Sequence, residues 1–125
     1  MRYLALATDY DGTLATNDRV PEQAVQALER LRRSGRRVIL VTGRRLADLL
    51  SVCTCTALFD RVVAENGAVV YDPRSREETR LGNPPSKQLI QGLRARGVEP
   101  LEIGEVLLAT HAPHRAAVQD VIWEL

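Results

Sequence analysis

Two aspartates, Asp9 and Asp11, stand one residue apart directly after a short apolar run, Leu4 to Thr8. Residues i and i+2 of an extended segment share a side, so both carboxylates can address one site. Like charges that close repel unless a cation is shared, and hard oxygen ligands favour magnesium. With a metal screening a phosphoryl group, one carboxylate could attack phosphorus while the other handles a proton. The competing reading is a turn, because Asp11-Gly12 is a common turn dipeptide. A second candidate follows Val38 to Val41. There Thr42-Gly43 sets a hydroxyl and backbone N–H groups before a helix expected over 44–52, a phosphate cradle by type. Taken alone, a plain helix cap by that threonine or a neighbour is the simpler account.

The elements that must position these groups follow from the hydrophobic pattern. Leu4 to Thr8 reads as a strand buried on both faces of a parallel sheet. Pro21 opens a helix whose apolar face is Ala24, Val25, Ala27, Leu28 and Leu31, stopped at Ser34-Gly35. Val38 to Val41 and Val62 to Ala64 are further strands, and Asn66-Gly67 turns the latter into Ala68 to Tyr71 as a hairpin. This order implies an α/β fold, a three-layer, Rossmann-like parallel sheet with right-handed crossovers. Ligands bind such sheets beyond the carboxyl ends of the strands, where Asp9, Asp11 and Thr42 fall. From Asp72 to Ser86 the chain is rich in proline and charge and reads as a linker or loop. Beyond it lie a helix over 87–96, a strand over 106–110 and a helix from Pro113 onward.

Composition narrows the partners. The 125 residues carry 17 basic and 16 acidic groups, a net charge of +1, and are 45% hydrophobic. That leaves no basic excess for nucleic acid or a membrane surface, and neither partner is expected. Sixteen of the basic residues are arginine; Lys87 is the single lysine. The apolar run after Met1-Arg2-Tyr3 is too short for a secretion signal, and no window suits a membrane span, so a cytoplasmic protein is expected. Cys53 and Cys55 are one residue apart, too close for an unstrained bridge and too few for zinc; they read as buried or half-buried thiols.

The block Asp9-Tyr10-Asp11-Gly12-Thr13-Leu14-Ala15 resembles the first signature of the haloacid-dehalogenase superfamily, mostly magnesium-dependent phosphatases. The resemblance makes Asp9 the nucleophile that forms a phosphoaspartate and Asp11 the general acid and base. It places magnesium on the Asp9 carboxylate and the Asp11 backbone carbonyl. Val41-Thr42-Gly43-Arg44 is similar to the second signature, which implies that Thr42 hydrogen-bonds the phosphoryl group, with Gly43 and Gly12 beside it. Ala64-Glu65-Asn66-Gly67-Ala68 is similar to a hairpin of the Cof-like branch, where Asn66 would face substrate; a plain turn also explains it. In that branch an α/β cap is inserted after the third strand, which divides this chain into residues 1–81, part of the core, and 82–125, part of a cap.

Two further signatures follow the cap in that family: a charge-balancing lysine or arginine and a Gly-Asp acidic motif. After Asp72 the single aspartate is Asp120, inside the terminal helix, and no Gly-Asp dipeptide occurs. A compressed arrangement using Lys87 and the 106–110 strand lacks a carboxylate, and His111 and His114 without clustered acids read as surface histidines. The expectation is therefore the N-terminal portion of a phosphohydrolase for a small phosphorylated metabolite, weakly active or inactive by itself. The alternative is a non-catalytic module that binds phosphate or magnesium. A receiver domain fits poorly, since the third strand ends in Ala64-Glu65-Asn66 without an acceptor aspartate. The family sheet sets later strands beside the first one, so this chain is expected to present an uncovered sheet edge and to self-associate through it.

Overall fold

The computed structural model describes residues 3–125. Met1 and Arg2, where the reading of the N-terminus begins, lie outside the described residues. The chain forms two compact units, Met1–Leu81 and Gly82–Leu125.

In the first unit, β1 (Ala5–Asp9), β2 (Arg37–Val41), β3 (Arg61–Ala64), β4 (Val69–Asp72) and β5 (Glu77–Arg80) form one sheet in that spatial order. Helix α1 (Glu22–Arg33) joins β1 to β2, and α2 (Leu46–Val52) joins β2 to β3. The β1–β2 and β2–β3 pairs are parallel, as a strand–helix–strand order requires. The next two pairs are antiparallel, the first of them the expected hairpin and the second the added β5, so the sheet is mixed. Its core is Leu28 of α1, Val38 and Leu40 of β2, Leu46 and Leu49 of α2, Val62 and Ala64 of β3, and Val69 of β4.

Two sequence expectations are corrected here. β1 is not buried on both faces: it is the edge strand, and among the described residues none pairs with its outer side. Leu4 and Leu6 are 70% and 41% exposed, so an apolar run that reads as central lies open. Within 72–86, read as a loop, β5 pairs with β4 in the register Asp72↔Glu77 through Val69↔Arg80. All four of its residues are exposed, so it carries none of the apolar alternation by which a strand is recognised. The hairpin expected at Asn66-Gly67 is present, β3 and β4 pairing antiparallel, and its connection is a 3-10 turn over Glu65–Gly67 with Glu65, Asn66 and Gly67 all at positive φ.

Asp60 secures the start of β2 from the loop before β3. Its carboxylate accepts from the Val38 N–H at 2.9 Å and from Arg37 at 2.7 Å. The Val38 N–H, and after it Arg37, hold this carboxyl below its usual range. Its stabilising contribution is thus complete above the unfolded value of ~3.9 and disappears as pH falls through the lower folded value. Asp60→Ala is expected to cost about 1–3 kcal/mol in urea denaturation at neutral pH, with the deficit vanishing in strong acid.

The second unit is built from α3 (Lys87–Ala95), the antiparallel pair β6 (Leu101–Ile103) and β7 (Leu108–Thr110), and α4 (Arg115–Glu124). Ser86 caps α3 by accepting from the Leu89 N–H at 3.1 Å. At its other end Gly97 takes φ +68°, and the Val98 N–H returns to the Leu93 carbonyl, a Schellman closure. Leu93, Val98 and Val121 form a small core with Leu89, Leu101 and Leu108. A Cβ on Gly92 would come within 2.8 Å of Val121, which is why a glycine stands where α3 meets α4. β6 went unread in the sequence, and the strand expected over 106–110 is shorter, Leu108–Thr110.

Candidate active site

The site lies at the carboxyl ends of β1, β2 and β3, within the first unit. Strand register brings its parts together: Asp9 lies opposite Val41, and the Thr42 N–H donates to the Val63 carbonyl. The Asn66 N–H in turn donates to the Thr42 carbonyl at 3.3 Å. Asp9, Thr42 and Asn66 therefore stand on adjacent strand ends.

The loop after β1 is folded back on Tyr10. Its carbonyl accepts from both Leu14 and Ala15 N–H, and the Gly12 N–H donates to the Ala15 carbonyl. Gly12 has φ +71° with open space where a Cβ would be, so it is the backbone angle that calls for glycine. The Tyr10 side chain is fully buried, and its hydroxyl donates to the Asp18 carbonyl at 3.1 Å. Burial pushes that hydroxyl up to about 12. With Tyr10 turned inward, Asp9 and Asp11 on either side are exposed. Asp9 accepts from the Thr13 hydroxyl at 3.4 Å.

Asp11 is gripped by a residue that sequence reasoning left without a role. Arg44 donates to its two oxygens at 2.8 and 2.6 Å, a bidentate pair, and also reaches Asp18. The guanidinium lies 5.6 Å from the centre of the Tyr10 ring. Hydrogen bonding from Arg44 holds the Asp11 carboxyl below its ordinary range, and Asp11 raises Arg44 in return. Nothing in the spacing of residues 11, 18 and 44 marks this triad. The one signal was position, since Arg44 directly follows Thr42-Gly43.

Thr42 is buried, and its hydroxyl oxygen accepts from the Arg44 N–H at 3.1 Å. Accepting leaves the hydroxyl hydrogen available as a donor. The cradle expected at a helix N-terminus is altered, because α2 starts at Leu46 rather than Arg44. Residues 43–45 form a loop instead. In that loop Gly43 leaves room for Asn66: a Cβ on Gly43 would sit 2.8 Å from the Asn66 side-chain oxygen. The structure thus brings Asp9, Asp11, Gly12, Thr42, Gly43 and Asn66 to one end of the sheet. Lys87, His111 and His114 belong to the second unit; the His114 ring lies 2.8 Å from the Glu99 carbonyl.

The oxygen donors of this loop suit a hard cation. Among the described residues no three His, Cys, Asp or Glu side chains cluster as a complete metal cage. Magnesium does not need one, since it is commonly held by one or two carboxylates with water and substrate phosphate.

A family model described as haloacid dehalogenase-like hydrolase matches residues 6–101, more than half of the chain. The chain belongs to the haloacid dehalogenase-like hydrolases. Phosphatase YwpJ of Bacillus subtilis is 35% identical over 72 residues, covering 57% of this chain and 25% of that protein. A phosphoglycolate phosphatase of Halobacterium salinarum is 39% identical over 66 residues, covering 53% and 28%. The chain thus spans roughly a quarter of the length of these curated relatives. Among solved structures, a haloacid dehalogenase-like hydrolase from B. subtilis aligns with TM-score 0.61 at 27% identity, over 78% of this chain and 34% of the other. Another from Bacteroides thetaiotaomicron aligns with TM-score 0.68 over 96% of this chain and 49% of the other; at 18% identity it speaks to the fold alone. The family resemblance read from the Asp9 and Thr42 signatures is borne out, as is the Rossmann-like α/β class. Among the described residues no helix is long and apolar enough to cross a membrane.

Proposed function

We propose that the loop after β1 is the phosphoryl-transfer site of a magnesium-dependent phosphohydrolase acting on a small phosphorylated metabolite. The observation that carries this is the placement of Asp9, Asp11 and Thr42 together at the carboxyl ends of the parallel strands β1 and β2. Names of the relatives support it, since both curated proteins above are called phosphatases. On this reading residues 1–81 are part of the core and residues 82–125 part of its cap.

Asp9 is the nucleophile: exposed and fixed at a strand end, its oxygen attacks phosphorus and becomes a phosphoaspartate. Thr42 donates its hydroxyl hydrogen to a phosphoryl oxygen, with the Gly12 and Gly43 backbone beside it. Asp11 gives a proton to the leaving oxygen and then takes one from the attacking water. In the free chain Arg44 keeps Asp11 ionised, so the acid role needs that pair to open. A phosphoryl group drawing Arg44 away supplies the opening. Magnesium, held by the Asp9 carboxylate and the Asp11 carbonyl, would supply charge neutralisation at the phosphoryl oxygens. Asn66 stands beside Gly43 as a contact for the substrate.

The proposal extends to assembly. β1 offers an uncharged edge, Tyr3 to Thr8, through which two copies would pair as strands. Size-exclusion chromatography with light scattering is expected to show a concentration-dependent dimer. A monomer throughout removes this part and leaves the chemistry standing.

A further inference from the structure

Cys53 and Cys55 are the two cysteines of the chain, and the chemistry above uses neither. The turn that follows α2 brings their sulfurs to 3.7 Å, with Cys53 buried and Cys55 half-buried. Burial in apolar surroundings ordinarily keeps a thiol protonated and inert. Here a hydrogen bond from Cys55 favours the Cys53 thiolate and draws it down to about 7. Cys55 is pushed up in return, so the pair divides into a thiolate and a protonated neighbour. Those are the two partners that disulfide formation needs. The charge on Cys53 also reaches Tyr10, the residue that carries the loop after β1 through its buried ring and its twice-bonded carbonyl.

We propose that Cys53 and Cys55 form a redox site that a hydroperoxide closes to an intrachain disulfide, and that Tyr10 couples it to the Asp9–Ala15 loop. In the first step the Cys53 sulfur attacks one peroxide oxygen and the O–O bond breaks. Its electron pair leaves on the other oxygen, which takes up the proton Cys53 had released. Cys53 is then a sulfenic acid. Next the Cys55 sulfur attacks the Cys53 sulfur, the S–S bond forms, and hydroxide departs with the Cys55 proton as water. Two thiols have lost two electrons and two protons, and the peroxide has become water plus an alcohol, or two waters from hydrogen peroxide. Closure shortens the sulfur separation to ~2.05 Å and removes the thiolate charge that acts on Tyr10. With Thr54 the sole intervening residue the ring is small, and strain of that kind makes a bridge easy to reduce. The site is therefore reversible, and it does not depend on turnover of phosphate.

The test treats the whole chain, labelled with ¹⁵N, with hydrogen peroxide. The expected result is a monomer lighter by two hydrogen masses, a peptide map joining Cys53 to Cys55, and shifted amide signals from Asp11 to Ala15. Dithiothreitol should reverse all three. Sulfinic or sulfonic products without a bridge, or bridges only between chains, overturn the redox site. A bridge that leaves the Asp11 to Ala15 amides unmoved overturns the coupling. Cys55→Ser is expected to lose the two-hydrogen change in the monomer; if that variant does not fold, the wild-type peptide map alone decides.

Discussion

Asp9→Asn is expected to abolish magnesium-dependent hydrolysis of p-nitrophenyl phosphate, a fall of about 10³-fold or more from whatever rate the chain supports. An amide is a poor nucleophile and cannot accept the phosphoryl group as a stable acyl phosphate. The fold should survive the exchange, because Asp9 is exposed and, among the described residues, its carboxylate receives only the 3.4 Å bond from Thr13. Circular dichroism and urea denaturation of the variant should therefore match the parent. An unchanged rate in Asp9→Asn would remove the nucleophile assignment, and with it the division of labour between Asp9 and Asp11.

The second large effect concerns the scaffold. Leu40 is fully buried in β2, the strand flanked by β1 and β3. Leu40→Ala removes apolar contact and leaves a cavity where neighbouring strands cannot close in, so a loss of about 3–5 kcal/mol is expected. Domains of this size have only ~5–15 kcal/mol in total, and the variant should be largely unfolded at modest urea concentrations. Leu6→Ala in β1 is the matched control. That side chain is 41% exposed, and its loss should cost about 1 kcal/mol or less. Equal penalties for the two would mean that β1 is covered in solution and that its exposure in the monomer is not the state measured.

The contrast between Leu40 and Leu6 also shows what the sequence could convey. Both sit in short apolar runs, and local pattern alone assigned both to buried strands. Edge or centre is decided by which strands lie alongside, and that is not a local property. β5 escaped for the complementary reason: a charged edge strand leaves no hydrophobic period to read. The site was legible where chemistry depends on close spacing, as in Asp9-x-Asp11-Gly12 and Val41-Thr42-Gly43. It was illegible where partners meet across the fold. Arg44 grips Asp11 from 33 residues away, Asp18 joins them from a turn, and Tyr10 anchors the loop by burial. Each of these is set by tertiary register, with no signature in sequence spacing. Gly43 was read as a phosphate contact, and the structure adds a second reason for it in the Asn66 side chain that occupies the space of a Cβ.

The most direct test asks whether Asp9 accepts a phosphoryl group at the strand ends it shares with Asp11 and Thr42. Beryllofluoride mimics a phosphoryl group on a carboxylate and reports on that site without requiring turnover. Titrating the chain with beryllofluoride and magnesium, followed by ¹⁵N and ¹⁹F NMR, should give a bound fluoride signal and shift the amides of Gly12, Thr13, Thr42 and Gly43. Omitting magnesium or using Asp9→Asn should eliminate both effects. A bound signal that persists in Asp9→Asn, or amide shifts that fall outside the ends of β1 and β2, would contradict the account.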